Sequence, residues 1–357
     1  MKVLHISNYR SFGGGTMVAR ALAERRPQGS ILLFLEPGGS PTGPIGSPPE
    51  YACAFGDFSS VRALAGQCIA RDGALIVHCH GRRPGLWGQM LRVLHPRRIR
   101  TIVSFHGIAS FGPAKKVVVA AEESVLSLGT DLFIAAAPAE VAMFRWVPKA
   151  AEVTLIPYSY NPDAVIPWTG RPVRRIGFCA RFEEPKLQDL LIKTVAAYNR
   201  TAATPVELVL AGDGSRRGAV DCLGQSELGA RYTSLGQIPR VVDFYARIDA
   251  FAHFSRYEGL PLSLIDAMAC GMPCIATDVI GCRDAIENGK SGILVPLGDI
   301  EAGARAIADL VEQPLLAATL AANAAARARS EYCPDRFWER HSEIYRAFAR
   351  QLHGELD

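Results

Sequence analysis

The chain has 357 residues, 49% of them hydrophobic and 21% charged, with a formal net charge of +4. This length suits two domains of ordinary size, and the composition excludes a disordered polymer because it can fill two cores. Apolar runs such as 31–35 and 75–79 are about five residues long, far short of the roughly 20 that a membrane-spanning helix needs.

The start, residues 2–7, reads as a strand with no apolar leader or cleavage site, so a cytoplasmic protein is expected. Strand-length apolar runs follow at 31–35, 74–79, 100–105 and 132–136, with helical spacing between them at 16–26, 61–71, 85–94 and 139–146. Such alternation predicts a parallel sheet covered by helices on both faces. Pro157, Pro162, Pro167, Gly170 and Pro172 then mark a linker. The pattern restarts with strands at 175–180, 206–211, 250–254, 274–277 and 292–295, and helices at 187–200, 241–247, 261–270 and 300–312. After Pro334, an amphipathic stretch over 335–352 carries Phe337, Trp338, Ile344, Tyr345, Phe348 and Leu352 toward one side. The expected fold class is α/β, with two Rossmann-like, doubly wound parallel-sheet domains facing a cleft. Their expected extents are 1–160 and 161–333, with a terminal helix over 334–357 packing back toward the first domain. In open parallel sheets ligands sit beyond the carboxyl ends of the strands.

Charge is unevenly placed. Residues 1–150 hold 17 Lys or Arg against 9 Asp or Glu, net +8, and the other 207 hold 22 against 26, net −4. This is either a solvated basic face or the footprint of an anionic partner, a phospholipid surface or a phosphorylated acceptor. Nucleic acid is not the expected partner, because no aromatic stacking motif accompanies the charge. The nine cysteines show no repeated metal-type pairing, and Cys79, Cys179 and Cys274 sit in strand-like runs as small hydrophobes.

The most informative passage follows the strand at 250–254 and runs from Ser255 to Gly271. Pro261 suits the first position of a helix, leaving the amides of Leu262 and Ser263 at a helix start, where the dipole favours an anion. Glu258 precedes that start and Asp266 lies about one and a half turns inside it. A diphosphate on the amides would then have a carboxylate toward each end of a nucleotide-sugar; a plain helix cap is the other reading of Glu258. Arg181 and Lys186 follow the strand at 175–180. They are either two cations that stabilise a leaving diphosphate without a metal or surface charges paired with Glu183 or Glu184. Gly13-Gly14-Gly15-Thr16 opens a helix after the first strand, giving close backbone approach to a phosphate or sugar, or simply a tight turn. Val18 occupies the last glycine position of a dinucleotide fingerprint, which argues against that ligand. His106 ends the strand at 100–105, as a ligand-facing or a structural histidine. His78 and His80 share a strand face, with no third zinc ligand evident. Gly212, and Gln237 with Ile238, lie in strand-end loops.

The Ser255–Gly271 passage, with 273–277 and 289–296, resembles the carboxylate signature of retaining glycosyltransferase family 4, of GT-B fold. The Arg181–Lys186 spacing resembles the family's strand-end cation pair. This chain departs from the pattern at Asp266, where the family has Glu, and at Leu187, where it usually has Gly. The resemblance implies that Glu258 contacts the transferred sugar, residue 266 the ribose, and Arg181 and Lys186 the diphosphate. It further implies that Gly14 and Gly15 lie over the donor, His106 lies near its sugar, and Gly212, Gln237 and Ile238 surround the base. Implied too are transfer with retention, no metal or other cofactor, and a nucleotide-sugar donor, UDP-linked by family frequency. The acceptor would be a glycan or a polyprenyl-diphosphate-linked glycan in bacterial polysaccharide assembly. The segment Gly281-Cys282-Arg283-Asp284 also looks like such transferases. A location in the cytoplasm, peripheral on the inner face of the membrane, agrees with this and with the basic first domain. The alternatives are a nucleotide-sugar-binding protein without transfer activity and a sugar-nucleotide epimerase on the same fold.

Overall fold

The computed structural model describes residues 1–8, 14–37, 46–106, 124, 127–144 and 152–354. The chain divides into two compact units, Met1–Tyr158 with Asp335–Asp357, and Ser159–Pro334. The helical stretch expected at 139–146 is seen as Pro138–Phe144, and the remainder lies outside the described residues, as does Gly13.

The first unit is built on seven strands. These are β1 (Lys2–Asn8), β2 (Ser30–Glu36), β3 (Glu50–Ala54), β4 (Leu75–His80), β5 (Ile99–Ser104), β6 (Leu132–Ala135) and β7 (Glu152–Leu155). They form one sheet in the order β3-β2-β1-β4-β5-β6-β7, and each pair is parallel. Every residue of β4 and β5 is buried, the polar His78, His80, Arg100, Thr101 and Ser104 along with the apolar majority. The edges β3 and β7 are only partly buried. The strand order reverses between β1 and β4. His5 of β1 stands beside His78 of β4, and alternation puts His80 on the same face.

That face is covered by the helix Pro334–Gly354, which buries Phe337, His341, Tyr345 and Leu352. The spacing of four between the first three makes one stripe along the helix. The sequence reading put Trp338, Ile344 and Phe348 in that stripe; the first three buried positions run through His341 instead, because the sheet face beneath is itself lined by imidazoles.

In the second unit, β8 (Arg175–Cys179), β9 (Glu207–Ala211), β10 (Tyr232–Ser234), β11 (Ala250–His253), β12 (Cys274–Thr277) and β13 (Ile293–Val295) form a parallel sheet. Their order is β10-β9-β8-β11-β12-β13, so the reversal falls between β8 and β11. Parallel sheets of this winding leave a crevice at the carboxyl ends of the two strands flanking the reversal. Those ends lead directly into Arg181 and into the Ser255–Glu258 segment.

Candidate functional site

At the reversal of the second sheet, two strand-end segments are joined backbone to backbone. Leu187 donates to the Phe254 carbonyl at 3.0 Å, Arg256 donates to that of Pro185 at 2.9 Å, and Lys186 and Ser255 form an antiparallel bridge. The buried Ser255 is fixed from below, its amide donating to Thr277 Oγ1 at 3.0 Å while the same hydroxyl donates to the Ser255 carbonyl at 2.7 Å. This zipper carries Lys186 onto Glu258, and the two form an ion pair with side chains 16% and 12% exposed. His253, the last residue of β11, donates from Nε2 to the same Glu258 oxygen at 2.8 Å. Its Nδ1 lies 3.5 Å from the hydroxyl of Ser263.

Burial alone would raise the Glu258 pKa, but the Lys186 charge and the His253 contact outweigh it and hold the carboxyl well below the usual range. Burial lowers the pKa of His253, the Glu258 carboxylate only partly opposing it, so the ring is neutral at pH 7. Glu258 is thus ionised at neutral pH, with fixed donors on it. Sequence reasoning missed His253. Its signal was its place, five residues before Glu258 at the end of a buried strand.

The helix Leu262–Ala269 begins beside this cluster, with Pro261 as its N-cap and no side chain capping it. The sequence reading put Pro261 one position later, as the first helical residue; its ψ of 106° keeps it outside the helix. The first-turn amides are still those of Leu262 and Ser263. Arg181 is exposed at the end of β8, its carbonyl accepting from Gln188 Nε2 at 2.9 Å. Glu183 accepts from the Ser215 amide and hydroxyl at 2.6 and 2.8 Å, and Glu184 lies 3.5 Å from Arg216. The surface-pair alternative for Lys186 with these two glutamates is therefore not the arrangement seen.

Asp266 lies within the helix Leu262–Ala269, as its spacing from Pro261 predicts. Its side chain is buried, with the residue 3% exposed, and Oδ1 accepts from the Asn161 amide at 2.7 Å. Burial raises its pKa to about 7, with the Asn161 hydrogen bond opposing. Through that hydrogen bond this carboxyl, one methylene shorter than the family's glutamate, ties down the start of the unit.

The glycines here have structural reasons. A Cβ on Gly212 would lie 1.9 Å from the Ala180 carbonyl oxygen, so this position lets the ends of β8 and β9 close up. The Gly212 amide donates to the Gly236 carbonyl at 2.8 Å, which brings Gln237, exposed, and Ile238, half-buried, alongside. Gly281 opens the helix Ile280–Ala285, where a Cβ would fall 1.5 Å from the Gly259 carbonyl oxygen and 3.0 Å from Glu258 Cβ. Gly281→Ala must therefore push the Glu258–Gly259 loop outward. Expected is a loss of about 1–3 kcal/mol in stability, as for other overpacked sites, with a fall in donor affinity. Thermal melts and a nucleotide titration measure both, and wild-type values for the two would refute this account of the loop.

In the first unit, Gly14 and Gly15 open the helix Gly14–Glu24. A Cβ on Gly15 would sit 2.7 Å from His106 Cδ2, so the glycine admits the imidazole. His106 belongs to a buried polar chain. Tyr158 donates to the Phe105 carbonyl at 2.8 Å, so its oxygen accepts from His106 Nδ1 at 2.5 Å. His106 Nε2 then accepts from His80 Nδ1 at 3.2 Å, and His80 Nε2 from His5 Nδ1 at 3.1 Å. One anchored hydroxyl fixes every tautomer along the chain and leaves His5 Nε2 a buried lone pair without a partner. His78 bridges Tyr345 and Ser104, both at 2.7 Å.

His5 supplies the third imidazole that the sequence reading did not find beside His78 and His80, and the three nitrogens lie within 4.8 Å of one another. A zinc ion holding its nitrogens at about 2.0–2.1 Å would need them roughly 3.3 Å apart. The His78 and His80 rings stack 4.3 Å apart at 29°, and those of His5 and His80 at 25°. Lone pairs in near-parallel ring planes do not converge on one ion, so the arrangement is that of a hydrogen-bonded stack.

Two doubly wound parallel-sheet units, the second with an ionised Glu258, Lys186 and an uncapped helix start at its reversal, define a protein of GT-B fold. Residues 173–313 match the family model for Glycosyl transferases group 1. Among curated relatives, the capsular polysaccharide biosynthesis glycosyltransferase CapM of Staphylococcus aureus is 27% identical over 204 residues, 55% of this chain and 49% of its own. A D-inositol 3-phosphate glycosyltransferase of Stackebrandtia nassauensis is 27% identical over 318 residues, 80% of this chain and 71% of its own. The chain thus spans about half the length of CapM, and 27% and 37% of EpsF of Bacillus subtilis and a GDP-mannose-dependent alpha-mannosyltransferase of Mycobacterium tuberculosis. Anabaena Alr3699/HepE in complex with UDP superposes with a TM-score of 0.79 at 18% identity, covering 97% of this chain and 100% of that one. Sucrose-phosphate synthase of Thermosynechococcus elongatus does so at 0.79 and 20%, covering 98% and 100%. At such identities these likenesses bear on the fold. Among the described residues no helix is long and apolar enough to cross a membrane.

Proposed function

We propose that the chain transfers a sugar, with retention, from a nucleoside-diphosphate-sugar to a glycan or polyprenyl-linked glycan acceptor. The observation that carries the reading is the ionised Glu258, held by Lys186 and His253, beside the uncapped helix start at Leu262. An anion suits the Leu262 and Ser263 amides, and the exposed Arg181 is available to the same diphosphate. As the glycosidic bond breaks, charge develops on the leaving diphosphate, and these fixed donors and cations stabilise it without reorganising. Glu258 stays ionised at neutral pH and so serves as an acceptor for sugar hydroxyls, or as a counter-charge to the developing oxocarbenium, not as a proton donor. UDP is the first donor nucleotide to try, because HepE is a structure bound to UDP.

Activity should not need a divalent cation, since Arg181 and Lys186 occupy the role that a metal would fill. The test is sugar release and transfer from a panel of nucleotide-sugars, with and without EDTA. Transfer that survives chelation is expected. A strict requirement for Mn²⁺ or Mg²⁺ would overturn the leaving-group assignment, and interconversion of donor sugars without an acceptor would overturn transfer itself.

A further inference from the structure

The helix Arg82–Leu94 joins β4 to β5 and buries Pro84, Gly85, Gly88, Gln89 and Leu91. Its outer face is apolar too, where a surface helix ordinarily turns polar residues outward. Leu86 is 50% exposed, Met90 47%, Val93 73% and Leu94 48%. Positions 86, 90 and 93 fall on one stripe of a helix. The helix cannot roll to hide them. A Cβ on Gly88 would lie 2.5 Å from Cys79 Sγ, so the helix already touches the sheet at its closest.

The helix and its described flanks carry charge of one sign in the sequence. Arg83 is exposed at one end of the helix, Arg97 and Arg98 just past the other. Between Gly81 and His106 the sequence has six Arg and no acidic residue. The nearby Asp131 is already engaged by Arg92 at 3.1 Å and Arg100 at 3.7 Å. Contiguous exposed apolar surface marks an interaction site, and a basic rim selects an anionic partner.

We propose that this face docks on an anionic lipid bilayer. Leu86, Met90 and Val93 enter the boundary between headgroups and acyl chains, and Arg83, Arg97 and Arg98 meet the headgroup charges. A second copy of the chain fits the face less well. A two-fold axis would set arginine ends against arginine ends, and the nearby Asp131 is already held by Arg92 and Arg100. The inference does not depend on sugar transfer, since any activity of the chain would be held at the membrane in the same way.

The experiment is co-sedimentation of the full chain with phosphatidylglycerol vesicles and with pure phosphatidylcholine vesicles, at low and high salt. Binding to the anionic vesicles, weakened by salt, is expected. Replacing Arg83 or Arg97 by Gln should weaken it on the order of fivefold each. The triple variant Leu86→Ser, Met90→Ser, Val93→Ser should lose roughly 100-fold or more. These side chains are about half exposed or more, so the melting temperature should fall by only a few degrees, and nucleotide affinity should match wild type. Equal binding to neutral vesicles, or a triple variant that binds normally, would overturn the proposal. So would a concentration-dependent dimer abolished by the triple variant, which would give the face to a second copy.

Discussion

Lowering the pH from 7 to 5 should unfold the first unit. Its sheet face and covering helix enclose His5, His78, His80 and His341, half-buried His106 joins them through His80, and burial is the first cause of a lowered pKa at each. The values fall to about 3 for His5 and His106 and about 4 for His341. In the unfolded chain each ring takes up a proton below about pH 6.5, while the folded unit resists doing so until far lower pH. Stability therefore falls as pH drops through 6.5, by about 1.4 kcal/mol per pH unit for each ring. Five rings over 1.5 units sum to roughly 10 kcal/mol, comparable with the whole stability of a domain. The neighbours reinforce one another, because a charge on His341 lowers the pKa of the other four. In the second unit the buried Asp266 acts in the opposite sense. With its pKa raised to about 7, the folded form binds the extra proton and gains stability as pH falls toward 4.

Thermal melts at half-unit steps between pH 7.5 and 4.5 should therefore show a steep loss of the first unit's transition below about pH 6. His341→Leu removes one titrating ring and should reduce the slope by about one proton. A melting temperature that stays flat from pH 7 to 5 would mean that these imidazoles are charged in the folded protein, and the tautomer chain ending at Tyr158 would then be wrong.

The buried middle strands were legible because runs dominated by apolar residues need no partner to be recognised. The edge strands β3, β7 and β10 were not, since their half-exposed residues carry neither a continuous run nor a clean alternation. The helix Pro314–Glu331 was missed for a related reason: it is largely alanine, which packs without an amphipathic signature. His5 and His341 acquired meaning only through register, one beside His78 across a strand pair and the other on a helix from the far end of the chain. Lys186 and Glu258 were each marked by the family's spacing. Their pairing was not legible, because the Lys186–Ser255 bridge that makes it is a backbone event. The sequence also placed Asp266 by a pattern that assumes glutamate, and the shorter side chain found a partner inside its own unit.

Under the proposed activity, Glu258→Gln should lower kcat by about 10²- to 10³-fold, as loss of one preorganised electrostatic contact does in other enzymes. The amide keeps the shape of the side chain and can still accept from His253, so the local fold should hold. What it removes is the negative charge, both from the reacting sugar and from Lys186. That second loss gives the prediction its sign. In the wild type Lys186 is partly neutralised by Glu258; in the variant its full charge is available to a diphosphate. The affinity for free nucleoside diphosphate should therefore stay level or rise as turnover collapses, whereas Arg181→Ala should weaken binding and turnover together. Calorimetric titration with the nucleotide, alongside steady-state kinetics with its sugar, separates these cases. Near-normal turnover would remove Glu258 from the chemistry. A parallel collapse of nucleotide affinity would instead mean that the carboxylate serves to hold Lys186 and the strand-end zipper in place. In that event the double variant Lys186→Met, Glu258→Gln should recover stability without recovering activity, because it removes the buried cation that Glu258→Gln leaves without a counter-charge.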